Sequence, residues 1–590
     1  MEKWFIKNTK PEEIDYEKLK LNKILYKVLV NRNIIKESEI IDFMNPDIEK
    51  LNTALLLPDL IKGSNLISEK IKSGKKIRIV GDYDVDGVMS TYILYKGLQK
   101  VGANVDYSIP HRVKDGYGIN ENIIEIAKND EVDLIITCDN GISANTAVDF
   151  ARSLDMDIII TDHHEVPKNE DGSENLPGAN AVINPKRENS KYPFKEICGA
   201  VVAYKLMSYI HTIYGVDVLE TTKELIPYAA MATVCDVMPL VDENRTIVSI
   251  GLKYLNSTED IGLSALLKES GLEDKKIEVY HIGFIIGPTI NSAGRLESAD
   301  YALKLLLSNS VEDSIVMAKY LRSLNVERQE LTEDGFNKID QQIIDNNLLD
   351  KYKILVVLDK TLNESVVGII AGRIKEKYNR PTIVLTQSKD ILKGSGRSIE
   401  TYNMFEGVSS YKTMLNSFGG HAMACGLSIE EDRLEEFINL LNGNSNLTDE
   451  DLIKKVYIDL GISLSKTDIS LVKQLEVFEP YGTANPKAKF GSKNLKVIRF
   501  SVFGKNQNVI KLVLSDGINT RDAILFQPLD DFLDELKKVY SYDQIDAMIV
   551  NSNSDIYLDI VYTPTINDFA GNQKLELLIK NYRASEVSVC

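Results

Sequence analysis

Residues 77–91 read IRIVGDYDVDGVMST. Ile77, Ile79 and Val80 form a short apolar run broken only by Arg78, the pattern of a mostly buried parallel strand. The run stops at Gly81, and aspartates then fall at alternate positions, Asp82, Asp84 and Asp86. Side chains two apart on an extended strand end share a face, so the spacing predicts three carboxylates converging beyond a sheet. Gly87 follows, and Ser90 and Thr91 are candidate caps for a helix starting in TYILYKGLQK. A solvated turn needs one Asp at a fixed position, not three in alternation. That much negative charge calls for a cation, and the stretch predicts a divalent-metal site.

The 590-residue chain is long enough for about four domains, each with its own core. Its 44% hydrophobic and 26% charged content is ordinary for globular protein. No apolar run reaches the roughly 18 residues that span a bilayer. The opening MEKWFIKNTKPEE lacks a secretory apolar core, so a cytoplasmic protein without a membrane partner is expected. Cys138, Cys198, Cys235, Cys425 and Cys590 are scattered with no CxxC pair, against a zinc ribbon or a disulfide framework. A formal net charge of −18 argues against nonspecific coating of nucleic acid. It leaves room for a nuclease with a local basic groove.

Residues 1–50 read as an N-terminal helical layer, with Ile24, Leu25, Val28 and Leu29 at helical spacing. Over 51–305, strand candidates KKIRIVG, NVDYSIP, VDLIITCDNG, DMDIIITDHH and NAVINP alternate with helical stretches, which predicts a parallel-sheet α/β domain. Ligands of such sheets gather at the carboxyl ends of the strands. There stand Asp139-Asn140-Gly141 and Asp162-His163-His164, and Asp236 follows the helix IPYAAMATVC. The chain has only six histidines, and two are this adjacent pair. Mixed carboxylate and imidazole donors suit Mn²⁺, with Mg²⁺ as the alternative. Two such ions, about 3.5–4 Å apart and bridged by one carboxylate, would clamp a phosphoester for in-line attack.

In this order and spacing, GDYDVDG, DNG and DHH resemble the DHH phosphoesterase superfamily. IPHRVKDGYGIN at 109–120, VCDVMPL at 234–240 and GPTINSAGRLE at 287–297 narrow the resemblance to the RecJ single-stranded-DNA exonucleases. After them, 306–348 read as a helix connecting two lobes, with Met317, Leu321, Leu324, Leu331, Ile339 and Ile343 on a helical repeat. Residues 349–450, with strands KILVVLD and PTIVLT, resemble the DHHA1 domain and form a second α/β unit. Its glycine-rich stretches LKGSGRS and FGGHAMACGL are expected as loops where Gly419 and Gly420 let backbone approach a phosphate. Lys393, Arg397 and His421 would be the donors. From 451 to 590, the short strands KVYIDL, LKVIRFSVF, NVIKLVLSDG, RDAILFQ, DAMIVNSN and IYLDIVYTP predict a β-barrel, and FEPYGTANPKAKF and NDFAGNQKLELLIKNYR resemble the family's OB-fold domain. Phe478, Tyr481, Phe500 and Phe503 are its candidate base platforms.

The resemblance implies that Asp84, Asp86, Asp139, His163 and Asp236 bind two metal ions, with Asp82 beside them and Asp139 as the bridge. His164 would face the phosphate or support the attack as a catalytic residue, Asp162 would orient an imidazole, and Asn140, Arg295 and His421 would hold non-bridging oxygens. The implied reaction is 5′-to-3′ degradation of single-stranded DNA to 5′-mononucleotides in repair and recombination. A helicase and a single-strand-binding protein are the implied protein partners. Two departures touch substrate grip: Thr289 stands where the family usually has Arg, and Leu362-Asn363 where it has Trp-His. Two other readings stand beside this one. A small DHH phosphodiesterase for cyclic dinucleotides or short oligonucleotides would lack the 451–590 region. A non-enzymatic replication scaffold would show eroded metal motifs.

Overall fold

The computed structural model describes residues 2–585 apart from 11–14, 113, 117, 553, 570 and 571; Cys590 therefore lies outside the described residues. The chain divides into two compact units, Asp47–Ile453 and Met1–Pro46 with Lys454–Cys590.

In the first unit, a parallel sheet is built from β1 (Lys76–Val80), β2 (Asn104–Ser108), β3 (Leu134–Cys138), β4 (Asp157–Thr161) and β5 (Ala181–Ile183), in the order β2-β1-β3-β4-β5. Ile77, Ile79, Val80 and all of β3 are buried, as strands covered on both faces must be. Helices α1 (Val85–Lys100), α2 (Gly199–Ile213) and α3 (Val218–Cys235) cover one face with a continuous apolar core. Helix α4 (Gly287–Leu296) follows, and then the 35-residue α5 (Val311–Asp345) leads into the second lobe.

That lobe holds β6 (Leu355–Leu358), β7 (Thr382–Ser388), β8 (Ile391–Arg397), β9 (Leu415–His421) and β10 (Ala424–Ile429), ordered β9-β10-β8-β7-β6. Only β6 and β7 run parallel. The glycine-rich stretches expected as loops are thus strands β8 and β9–β10. Their glycines admit close packing: a Cβ on Gly396 would lie 2.7 Å from Cys425 Sγ, and one on Gly394 2.9 Å from Leu385 Cγ. The starting helix also differs from expectation. It begins at Val85, not Thr91, because Asp84 caps it, accepting from Gly87 N at 3.1 Å.

In the second unit, residues 2–6 are a strand rather than helix: Glu2–Ile6 pairs in parallel with Lys454–Ile458, and Lys23–Val30 and Glu37–Met44 are the helices. The expected separate N-terminal layer shares one core with the C-terminal strands, through Leu29, Ile40, Phe478, Phe490 and Tyr562. A strand whose partner lies some 450 residues away leaves no local signature. Strand Phe490–Phe503 pairs with both Val509–Ser515 and Tyr557–Phe569. The ladder runs on through Thr520–Phe526 and Asn572–Ala584 and returns to its first strand. DAMIVNSN, expected as a strand, is in its first half the end of helix Tyr542–Ile549, started by a Ser541–Gln544 capping box with Ile545 and Met548 turned inward. Its residue 553 lies outside the described residues.

The candidate platforms separate by burial. Phe478 and Phe500 are core, and the Tyr481 hydroxyl donates to Leu475 O. Phe503 is 54% exposed, and Phe526, which sequence reading missed, 66%. Both pair with Val509, so they share one face of the sheet.

Candidate metal centre

Three overlapping donor groups form at the carboxyl ends of β1, β3 and β4: Asp82, Asp84 and Asp139; Asp139, His163 and His164; Asp86, His163 and Asp236. The sequence named these residues, but the backbone brings them together by another route than alternation on a strand. Strand β1 stops at Val80, Asp82 lies in the connecting turn, Asp84 is the cap of α1 and Asp86 is in its first turn. Gly87 is required by the tightness of this turn, since a Cβ there would sit 2.4 Å from Asp82 O. The Asp86 carboxylate accepts from Gly199 N and Ala200 N at 2.7 Å each, lying against the positive end of α2. Asp139 takes up φ +60° directly after β3, and Asp236 is the C-cap of α3. Val237, next to it, holds φ +58°, an outlier for a β-branched residue of the kind stored at functional sites.

His163 Nε2 is the hub, 3.1 Å from Asp139 Oδ1, 3.5 Å from Asp86 Oδ2 and 3.6 Å from Asp236 Oδ2. Burial lowers the pKa of His163, so a neutral ring faces these carboxylates. Burial, then the mutual repulsion of the acids, pushes Asp82 and Asp139 well above the carboxylate range and Asp236 up to about 8; Asp84 is raised by burial and Asp86. Asp82 Oδ1, Asp236 Oδ2 and His163 Nδ1 are buried without a hydrogen-bond partner among the described residues. Oxygen and imidazole donors held against their own repulsion fit divalent cations of the Mn²⁺ and Mg²⁺ class. Burial pushes the nearby thiols of Cys138, Cys198 and Cys235 up, and none of the three donor groups includes a sulfur.

Asp162 is fully buried and accepts from Ile142 N, His163 N and His164 N. Its Oδ1 also lies 2.8 Å from His164 Nδ1. Burial alone would lower the His164 pKa, but this contact and the surrounding acids raise it to about 9. His164 is therefore a half-exposed cation at neutral pH. Asn140 is spent on the fold: its amide donates to Val80 O and Cys138 O and its oxygen accepts from Ile119 N, leaving no side-chain hydrogen for a phosphate.

Facing the acids is a group of guanidinium ions. Burial and the charges of Arg112, Arg328 and Arg397 lower Arg295 to about 10. Its Nη1 donates to Ser365 O at 2.8 Å. Arg397, also lowered by burial and Arg112, donates to Ser395 Oγ and Gly396 O. His421 is kept below its usual range by burial, then by Arg397, His164 and Lys186. Lys393 instead pairs with Glu364 at 2.9 Å. Gly419 and Gly420 are exposed on β9.

Sequence reading missed Arg112, which lies within IPHRVKDGYGIN, four residues beyond the end of β2 and 5.1 Å over the Tyr83 ring. It also missed Asn291, whose Oδ1 accepts from Val85 N at the start of α1. Arg328 on α5 was missed as well. Thr289, buried, accepts from Asn325 Nδ2, and Asn325 Oδ1 accepts from Arg328 Nη2. Thr289 is thus joined through Asn325 to the Arg328 guanidinium on α5. Leu362 is in the core, and Asn363 accepts from Ser365 N and Oγ, shaping the turn that presents Ser365 O to Arg295.

The model of the DHH family N-terminal domain matches residues 76–233, that of the DHHA1 domain 350–444 and that of the RecJ OB domain 458–581. The single-stranded-DNA-specific exonuclease RecJ of Bacillus subtilis is 34% identical over 89% of this chain, which spans 63% of that protein's length. Its Haemophilus influenzae counterpart is 30% identical over 90% of this chain and 92% of its own. The crystal structure of Thermus thermophilus RecJ in complex with Mn²⁺ superposes with a TM-score of 0.82 at 24% identity, covering 99% of this chain and 80% of that one. With domain matches in this order and 30% identity along nearly all of the Haemophilus protein, the chain belongs to the RecJ family.

Proposed function

We propose that the chain is a metal-dependent exonuclease that degrades single-stranded DNA from its 5′ end to 5′-mononucleotides, in DNA repair and recombination. The observation that carries this is the pairing of carboxylate–imidazole groups at one rim with Arg112, Arg295 and Arg397, whose charges repel one another. The first arrangement needs cations and the second needs an anion: divalent ions would meet the first, and a phosphodiester held between those ions and the arginines meets the second. The relatives from Bacillus subtilis and Haemophilus influenzae are named single-stranded-DNA-specific exonucleases, which supports the substrate class.

Asp84, Asp86, Asp139, His163 and Asp236 would hold two divalent ions, Mn²⁺ in preference and Mg²⁺ as the alternative. Asp82 would stand beside them, and Asp139, which belongs to two donor groups, would take the bridging place. Bound there, the ions supply Lewis acidity toward the phosphate and lower the pKa of water. The remaining work falls to side chains of this chain. Asp162 fixes the His164 ring through Nδ1, so the protonated Nε2 is the atom that meets a non-bridging oxygen. Arg295, anchored on Ser365 O, and Arg397, anchored on Ser395 and Gly396, orient the phosphate as donors of fixed geometry. His421 adds a third donor, and Gly419 leaves room for the strand. Lys393, already paired, contributes through the field more than by contact.

The test is digestion in Mn²⁺ of single strands and blunt duplexes labelled at the 5′ or the 3′ end. Mononucleotide release from the 5′ end of single strands, with duplex spared, is the expected result. Release from 3′ ends, or duplex cut equally well, would refute the assignment.

A further inference from the structure

The run of helix that carries Asn291 and Arg295 into the site begins with an exposed aromatic pair that the reaction above does not use. Tyr280 and Phe284 are 60% and 69% exposed, and their rings stack with centroids 5.0 Å apart and planes 28° from parallel. They lie one helical turn apart: Tyr280 in Val279–His281, and Phe284 in the π-helical turn Ile282–Ile286 that leads into α4. The opposite face of that turn is fixed. Ile282 and Ile286 are fully buried, Cys235 Sγ lies 3.8 Å from Ile282 O, and a Cβ on Gly287 would sit 2.4 Å from the same sulfur. Cys235 immediately precedes Asp236, so the turn bearing the aromatics is clamped to the backbone of the metal rim. Scattered single hydrophobics on a surface mean little, but two stacked rings joined rigidly to a site are a surface with a use. Widened helical turns of this kind concentrate at functional sites.

We propose that Tyr280 and Phe284 form a stacking platform for bases of the single strand whose end lies in the metal centre, which makes the site selective for unpaired nucleotides at a second place. This rests on the reading of the site as a single-strand nuclease. Every base of an unpaired strand offers a π-face, while bases in a duplex are already stacked and paired. Phe284 lies seven residues from Asn291, roughly 10 Å along the helix axis. That is about three nucleotides at the stacked rise of 3.4 Å per strand, so the platform engages bases near the third nucleotide.

The full chain is titrated by anisotropy with labelled oligonucleotides in Ca²⁺, each with one abasic residue moved from the second to the sixth nucleotide from the 5′ end. Stacking energies of about 1–3 kcal/mol per base correspond to losses of roughly 5- to 150-fold. Tyr280→Ala with Phe284→Ala is expected to weaken binding of the intact strand on that scale. One abasic position should cost wild type a similar factor and cost the double variant little. Phe284→Trp should retain tight binding, which separates ring stacking from loss of shape. Unchanged binding by the double variant, or the same abasic penalties in variant and wild type, would overturn the platform and favour a protein partner for this face. A wild-type chain that binds no single strand at all would overturn the platform together with the nuclease reading, whereas tight wild-type binding with an insensitive variant overturns the platform alone.

Discussion

The metal rim and the glycine-rich strands β8, β9 and β10 belong to one unit and answer opposite problems. The rim must hold carboxylates that repel one another. It does so by fixing each to backbone: Asp84 to Gly87 N, Asp86 to the first amides of α2, Asp162 to three N–H groups. The glycine strands carry cations, and they work by omission. Side chains are missing where strands pack tightly and where backbone is left open to solvent. Charge that needs a counter-ion is held by added hydrogen bonds, and a surface that receives a chain is made by removing atoms. Substitutions should therefore fail differently in the two regions.

The largest contrast is in catalysis. Asp139→Ala removes a member of two donor groups and is expected to bring nuclease activity to background in Mn²⁺, with the metal-free thermal transition kept or slightly raised as repulsion is relieved. Arg397→Gln should leave turnover at saturating strand measurable. It should weaken binding and flatten the dependence of log affinity on log salt by about one unit. Lys393→Gln, which breaks a pair with Glu364, should flatten it less. Near wild-type cutting by the Asp139 variant, or an unchanged salt slope for Arg397→Gln, would erase the distinction between rim and strands.

A finer contrast lies within the glycines. A Cβ on Gly420 would sit 2.4 Å from Ala424 O, and its φ is +149°, whereas a Cβ on Gly419 meets nothing within 4 Å. Gly420→Ala is expected to lower the thermal midpoint of the unit. Gly419→Ala should leave stability alone and weaken strand binding several-fold, if backbone openness is what admits the phosphate. Calorimetry and anisotropy on the two variants separate the roles, and equal effects would show that the glycines serve packing only.

Much of this was legible from residues, and the failures have a common cause. The strands of the parallel sheet and the identities of the clustered acids and histidines follow from apolar runs and what ends them. The alternating aspartates named side chains that do cluster, but for the wrong backbone reason, because Asp84 caps a helix as well as Ser90 or Thr91 could. Glycine-rich segments read as loops, since nothing local says that Cys425 or Leu385 will lie against them. DAMIVNSN looks like a strand until the Ser541–Gln544 box starts a helix ahead of it. Arg328 was invisible because its place depends on Asn325 and Thr289, joined only in the fold. What escaped was set by long-range neighbours, and what showed was set by period and spacing.

The smallest effect is on stability without metal, and its sign follows from the raised acids. Asp236 titrates near 8 in the folded chain because of burial and the charges of Asp86 and Asp84, against about 4 when unfolded. The folded state therefore binds that proton more tightly. The stabilisation is complete below pH 4 and is lost as pH rises toward 8, and Asp82, Asp84 and Asp139, all raised, act in the same direction. Chelator-treated protein should lose thermal stability across pH 4–8, and Mn²⁺ should restore it, since the cation takes over what the protons did. Asp236→Asn removes one of the repelling charges. At pH 8 without metal it should melt higher than wild type by roughly 1 °C for each kcal/mol relieved in a unit of this size, with a flatter decline and a smaller Mn²⁺ response. The glycine strands hold no such acid cluster, so Gly419→Ala should leave the pH profile as it is. A metal-free midpoint that climbs between pH 4 and 8 would mean that the rim's carboxylates are compensated within the chain, and the opposition between a rim in need of cations and a face in need of an anion would fall with it.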